Sequence, residues 1–166
     1  MGRDVNKLVT KVAGALRSRG QTVGFAESCT GGLLSSMMAA MPGVSDVYNG
    51  AIVSYANHVK QTLLGVPVSQ LRTFGAVSVP VARSMVNGAR AVLGVDWCVS
   101  ITGISGPGGG SVAKPVGTVV FGVSGPGVDK VVQEHFTGSR GVVQKASAEH
   151  ALRLLLEELG ESESGS

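Results

Sequence analysis

Three side chains able to act as nucleophiles stand in a row at Ser28-Cys29-Thr30, between an apolar segment, Thr22–Ala26, and the glycine pair Gly31-Gly32. A strand that empties into a small, hydroxyl-rich turn and then a helix aims backbone N–H groups at one point beside a positive helix end. Such a point suits an anion or a developing oxyanion, so Cys29, Thr30 and Gly31 are the expected donors and Ser28 the expected nucleophile. The ordinary use of Ser or Thr before an apolar run is to cap the helix. A thiolate at Cys29 is the rival nucleophile, because it forms more readily than an alkoxide.

A hydroxyl nucleophile needs a base. None of the three histidines is well placed: His58 sits in a polar helical stretch, His135 alternates outward on a strand, and His150 lies in the last helix. Lys60 follows a strand closely, at the end of Tyr55-Ala56-Asn57-His58-Val59-Lys60. Lysine with its reference pKa of ~10.4 is a poor base at neutral pH, and burial or a positive neighbour must bring it to about 7–8. A lone lysine on a short helix is more commonly solvated. Tyr55 offers a hydroxyl to hold the lysine or the serine.

A second small-residue run, Gly103-Ile104-Ser105-Gly106-Pro107-Gly108-Gly109-Gly110, follows another apolar strand candidate. It is neither a P-loop nor a dinucleotide fingerprint, since the glycine gaps differ and no Gly-Lys-Ser/Thr follows. Its glycines still let backbone approach a ligand closely, and Lys114 and Arg140 are available to neutralise a phosphate. The two cysteines are 69 positions apart (98 − 29) and the histidines lack ligand spacing, so metal-free chemistry without a cofactor is expected.

The elements that position these groups follow from period and punctuation. Val5, Leu8, Val9, Val12, Ala15 and Leu16 mark one face of a helix to Arg19, with Asp4 as its cap and Gly20 as its stop. After the first strand, a helix over 33–41 precedes a strand over 46–55 with a bulge at Gly50. Short helices at 56–64 and 69–74 and a longer one from Ser78 to Leu93 each end at a glycine. Trp97–Thr102 is apolar enough to be covered on both faces. Strands over 117–124 and 129–136 flank the hairpin signal Gly125-Pro126-Gly127, and a helix over 141–159 follows.

The expected architecture is a three-layer α/β/α sandwich with a mixed, mostly parallel sheet, a C-terminal β-hairpin and a closing helix. Residues 1–160 read as one domain and 161–166 as a disordered tail. The loops near 28 and 105 then share a crevice at strand ends. With 43% hydrophobic and 15% charged residues the chain is globular, and a net charge of +3 is too small to indicate nucleic acid. Absence of a signal peptide, of a long apolar span and of paired cysteines predicts a cytoplasmic protein with reduced thiols and no membrane partner.

Taken together, several segments resemble the CinA C-terminal domain family. They are Ala26-Glu27-Ser28-Cys29-Thr30-Gly31-Gly32, Ser54-Tyr55-Ala56-Asn57 with Lys60, Gly75-Ala76-Val77-Ser78, Thr102-Gly103-Ile104-Ser105-Gly106-Pro107 with Gly109-Gly110, Lys114-Pro115-Val116-Gly117-Thr118-Val119, and Phe136-Thr137-Gly138-Ser139-Arg140. The resemblance spans roughly residues 4–158 in the family's order. It implies hydrolysis of the carboxamide of nicotinamide mononucleotide (NMN) to nicotinate mononucleotide and ammonia. Carried onto this sequence, Ser28 is the nucleophile, Lys60 the base and Tyr55 an auxiliary hydroxyl. Thr102, Gly103, Ser105, Gly106, Gly109 and Lys114 lie around the nucleotide, with Arg140 on its phosphate. Much of the family carries an N-terminal domain with another activity, which is not expected here; a homo-oligomer, dimer or trimer, is. Ala56 and Ser105 depart from the common serine and alanine. The alternative from a different class is a non-catalytic nucleotide-binding or regulatory module.

Overall fold

The computed structural model describes residues 2–163. Helix α1 (Arg3–Arg19) buries its Val5, Leu8, Val9, Val12 and Leu16 stripe and ends on left-handed Gly20. Gly2 takes the cap position and Asp4 lies in the first turn, so Asp4 favours the helix through its charge at the positive end and not as a cap. Strand β1 (Val23–Glu27) leads through the turn at Ser28 to helix α2 (Leu33–Ala39), which stops short of the expected Met41. A 3-10 turn at Val44–Asp46 takes the start of the stretch read as strand, leaving β2 as Tyr48–Val53. The register shifts one residue before the expected bulge position: Val23 faces Tyr48 and Gly24 faces Gly50, so Asn49 is left unpaired.

Helices α3 (Asn57–Leu64), α4 (Val68–Phe74) and α5 (Val79–Leu93) follow, then strand β3 (Trp97–Gly103). Strands β4 (Thr118–Gly125) and β5 (Val128–His135) form the hairpin, and helix α6 (Arg140–Glu158) packs back against α1. The strand order is β2-β1-β3-β4-β5. β1 pairs in parallel with β2 and β3, while β3–β4 and β4–β5 are antiparallel. Only β4 therefore runs against the other four strands.

Alternation along the strands gives the sheet two unlike faces. Val23, Phe25, Val99, Ile101, Val119, Phe121 and Val123 point one way, into the large core under α1, α2 and α6. Gly24, Ala26, Cys98, Ser100 and Gly122 point the other way and are small, so α5 sits close against the sheet. A Cβ on Gly122 would meet the Ala82 carbonyl at 2.8 Å, and Ser100 Oγ donates to that same oxygen at 2.8 Å. On this second face α3 also crowds α5, where a Cβ on Gly88 would lie 1.9 Å from the Leu64 carbonyl oxygen.

The chain leaves β1 toward the α2 layer but leaves the neighbouring β2 toward the α3 layer. Connections that diverge to opposite faces open a crevice beyond the carboxyl ends of adjacent strands. The expected three-layer architecture is what the chain adopts. Past α6, Glu161 N–H donates to Leu156 O and Glu163 pairs with Arg153 at 3.0 Å. Residues 164–166 of the expected tail lie outside the described chain.

Candidate active site

Ser28 directly follows β1, and its N–H donates to Ile101 O of β3 at 2.9 Å, which carries the sheet ladder one residue beyond the strand. Gly31 N–H then donates to Ser28 O at 3.0 Å and closes a tight turn, helped by the positive φ of Gly31 and Gly32. The helix end behind this turn is not open to a ligand. Fully buried Glu27 reaches back to accept from Thr30 Oγ1 at 2.7 Å, Leu34 N–H at 2.9 Å and Ser35 N–H at 2.9 Å. A carboxylate from the strand thus does the capping that a hydroxyl was expected to do.

That arrangement alters the expected oxyanion set. Gly31 spends its N–H on Ser28 O, and the Thr30 side chain is held by Glu27. The N–H groups of Cys29 and Thr30 take no acceptor among the described residues, although both residues are buried. Buried backbone N–H groups without a partner are rare, so these two are the turn's unspent donors; of the two residues, Cys29 lines the cavity described below.

Lys60 lies one turn into α3, and its side chain is 1% exposed. Nζ is 2.9 Å from Ser28 Oγ, 2.8 Å from Ser54 O and 2.9 Å from Tyr55 O. The two carbonyls can only accept, so they claim two N–H bonds and leave the remaining tetrahedral position of Nζ facing the serine. As ammonium, Lys60 donates a third hydrogen bond there; as amine, it presents its lone pair to the Ser28 hydroxyl. Among the described residues no carboxylate faces the amine, and burial lowers its pKa to about 8. About one Lys60 in ten is then neutral at pH 7.

Cys29 is unlike its neighbour. Its side chain packs in the core under α6, and burial pushes the thiol up to about 11. The thiol stays protonated at neutral pH, which disfavours the rival nucleophile.

Tyr55 contributes differently from expectation. Its carbonyl, not its hydroxyl, holds Lys60, and the half-exposed phenol accepts from Arg140 Nη2 at 2.7 Å. Arg140 also donates from Nη1 to Gly106 O at 2.7 Å. Its guanidinium thus joins the loop after β2 to the loop after β3 at the mouth of a cavity of about 250 Å³. Ser28, Cys29, Tyr55, Lys60, Thr102, Gly103, Ser105, Gly106, Gly109 and Arg140 line it, together with Asn57, Ala76, Val77, Ile104 and Gly108.

Within the cavity wall, Thr102 Oγ1 donates to Ala76 O at 2.9 Å, and Ser105 Oγ lies 3.5 Å from Cys29 O. Gly103 cannot carry a side chain: a Cβ would meet Val119, the Thr118 carbonyl and the Cys29 sulfur at 2.8–3.1 Å. Lys114 is not part of the wall. Its Nζ donates to Phe74 O at 2.6 Å, anchoring the glycine-rich loop to the end of α4. Among the described residues no group of three or more His, Cys, Asp and Glu is gathered to hold a metal ion, and no helix is long and apolar enough to cross a membrane.

The family model of the CinA C-terminal domain matches residues 5–159. The chain belongs to this family. A CinA-like protein of Synechococcus sp. is 47% identical over 156 residues, which are 93% of this chain and 37% of that protein. Another from Anaeromyxobacter sp. (strain K) is 44% identical over 154 residues, 93% of this chain and 38% of that protein. The chain therefore spans little more than a third of the length of these curated relatives. Among solved structures, the competence/damage inducible protein CihA from Agrobacterium tumefaciens superposes with a TM-score of 0.90 at 34% identity, covering 97% of this chain and 98% of that one. A CinA superfamily protein from Escherichia coli does so with a TM-score of 0.91 at 31% identity, covering 95% and 92%.

Glu27, Ser54 and Gln144 are the residues that reasoning from sequence assigned no role. Glu27 had a local signal, an acid one residue before the nucleophile candidate and seven and eight residues before the helix N–H groups it caps. Gln144, whose Nε2 donates to Cys29 O at 3.0 Å across 115 residues of chain, had none.

Proposed function

We propose that this CinA-family chain is an amidohydrolase that removes the carboxamide nitrogen of NMN as ammonia, leaving nicotinate mononucleotide. The observation that carries this reading is the buried Lys60 amine, held by two carbonyls with its third position on Ser28 Oγ. That geometry supports a serine nucleophile with a lysine as its base.

Neutral Lys60 takes the Ser28 proton while Oγ bonds to the carboxamide carbon and the carbonyl π pair moves onto oxygen. The N–H groups of Cys29 and Thr30 hold the resulting oxyanion. As the oxyanion collapses, the C–N bond breaks and ammonium Lys60 returns its proton to the departing nitrogen, which leaves as ammonia. Water then adds to the ester with Lys60 again as base, and Ser28 Oγ leaves with the proton. The pyridinium of the substrate repels a second positive charge, which favours amine over ammonium at Lys60 as the complex forms. Arg140, at the cavity mouth, has remaining N–H bonds for the phosphate.

The test is ammonia release from NMN by the wild type and by Ser28→Ala, with and without chelator. Release by the wild type, absent in the serine variant and unaffected by chelator, is expected. NMN binding with no ammonia formed by excess protein over hours would instead make the domain a nucleotide-binding module.

A further inference from the structure

We infer that Gln144 of α6 is a positioning residue, aiming the Thr30 N–H at the oxyanion by holding the carbonyl on the other side of the same peptide. The inference rests on the acyl-transfer reading above, though only on its serine chemistry and not on NMN as the substrate.

In a trans peptide the C=O and N–H point in opposite directions, and the only cis bond in the described chain is Gly106–Pro107. The two unpartnered N–H groups beside Ser28 therefore take their directions from the carbonyls of their own peptide units. Cys29 N–H shares a unit with Ser28 O, which Gly31 N–H holds within the turn. Thr30 N–H shares a unit with Cys29 O, and among the described residues no backbone group holds that oxygen. Gln144 Nε2 does so at 3.0 Å, with Ser105 Oγ at the limit of bonding at 3.5 Å.

One donor is thus fixed by local turn closure and the other by a side chain from a distant helix. Gln144 lies one helical turn after Arg140, so both face the same side of α6. Arg140 ties α6 to the loops around the cavity, and Gln144 ties it to the nucleophile turn. Hydrogen bonding at the Cys29 carbonyl also polarises the peptide and strengthens its N–H as a donor.

Gln144→Met keeps the length and removes the donor. Its expected effect is a fall in kcat of about 10–100-fold, less than the ~10²–10³ for losing an oxyanion donor outright. KM stays within about twofold and the alkaline inflection does not move, because Lys60 is untouched.

A second readout does not use an amide at all. A phosphonofluoridate forms an O–P bond with Ser28 as P–F breaks, fluoride leaves and the serine proton passes to Lys60; its P=O oxygen occupies the oxyanion position. Labelling of Ser28, followed by mass, slows in Gln144→Met by a factor similar to that on kcat. Unchanged kcat and labelling would overturn the inference, as would a rise in KM with kcat intact. If wild type labels in a Gln144-dependent way but releases no ammonia from NMN, the positioning role stands and the nucleotide reading falls. Failure of wild-type Ser28 to label at all overturns both. Should Gln144→Met lose its thermal transition, Gln144→Glu, which keeps the size and places an acceptor against the carbonyl, decides by the same readouts.

Discussion

Lys60 must be an amine before it can take the Ser28 proton, which ties turnover to pH through one buried side chain. With a pKa of about 8, the neutral fraction is about 1% at pH 6, 9% at pH 7, 50% at pH 8 and 91% at pH 9. The rate constant kcat/KM, which reports ionisations of the free enzyme, should rise about tenfold per unit below pH 7 and level off above pH 9. Between pH 7 and pH 9 the gain is about tenfold. A solvated lysine with the ordinary value of 10.5 would give about a hundredfold over the same interval and no plateau before pH 10. The assay is the initial rate of ammonia release from NMN at subsaturating substrate and constant ionic strength. Starting at pH 7 keeps the substrate phosphate, whose second pKa is about 6, largely dianionic. A profile flat from pH 7 to 9 would refute Lys60 as the base, and one climbing a hundredfold without levelling would refute its lowered pKa.

Three further outcomes are expected of the same site and its supports. Ser28→Ala should lower kcat by at least about 10³, whereas Cys29→Ala should keep most of the activity, because a thiol pushed up to about 11 is not ionised near neutrality; loss of ammonia release in the cysteine variant alone would reverse the assignment. Gly88→Ala should push α3 off α5, since its Cβ would meet Leu64 O at 1.9 Å. It should cost about 1–3 kcal/mol and lower kcat by moving Lys60, while Gly14→Ala, with nothing within 4 Å, serves as the harmless control in the same thermal scans and rate assays. Lys60 also leaves a mark on stability. Its folded pKa lies below its ordinary 10.5, so the unfolded chain binds more protons between pH 8 and 10.5, and stability rises with pH there. The burial penalty is fully present below pH 8. Relative to Lys60→Met, wild type should therefore gain about 3 kcal/mol in urea unfolding between pH 7 and pH 11, and no gain would show that the amine is not desolvated.

Most of the architecture was legible along the chain because it depends on near neighbours. The α1 stripe, the glycines that end α1, α3 and α5, and the two-residue turn at Pro126-Gly127 are settled within a few residues of themselves. The misjudged boundaries have local causes too. The start of the expected second strand went to a 3-10 turn, and α2 was read two residues too long because apolar Met41 continues its period past Ala39.

The sequence by itself determined which chemistry was on offer: a hydroxyl at a strand-to-helix corner, a lysine after the next strand and a glycine-rich loop after a third. It also determined the sandwich that sets those three strand ends side by side. Only the tertiary structure decided what each group is free to do. An eight-residue polar helix gives no sign that Lys60 is buried; that depends on Gly88 admitting α3 against α5 and on the carbonyls of Ser54 and Tyr55 turning inward. Tyr55 gives its phenol to Arg140, 85 residues on, Lys114 is tied to Phe74, 40 residues back, and Cys29 O is held by Gln144. Hydrogen bonds act over about 3 Å whatever the separation along the chain, so partners are chosen by how helices settle on the sheet, and packing alone sets that distance.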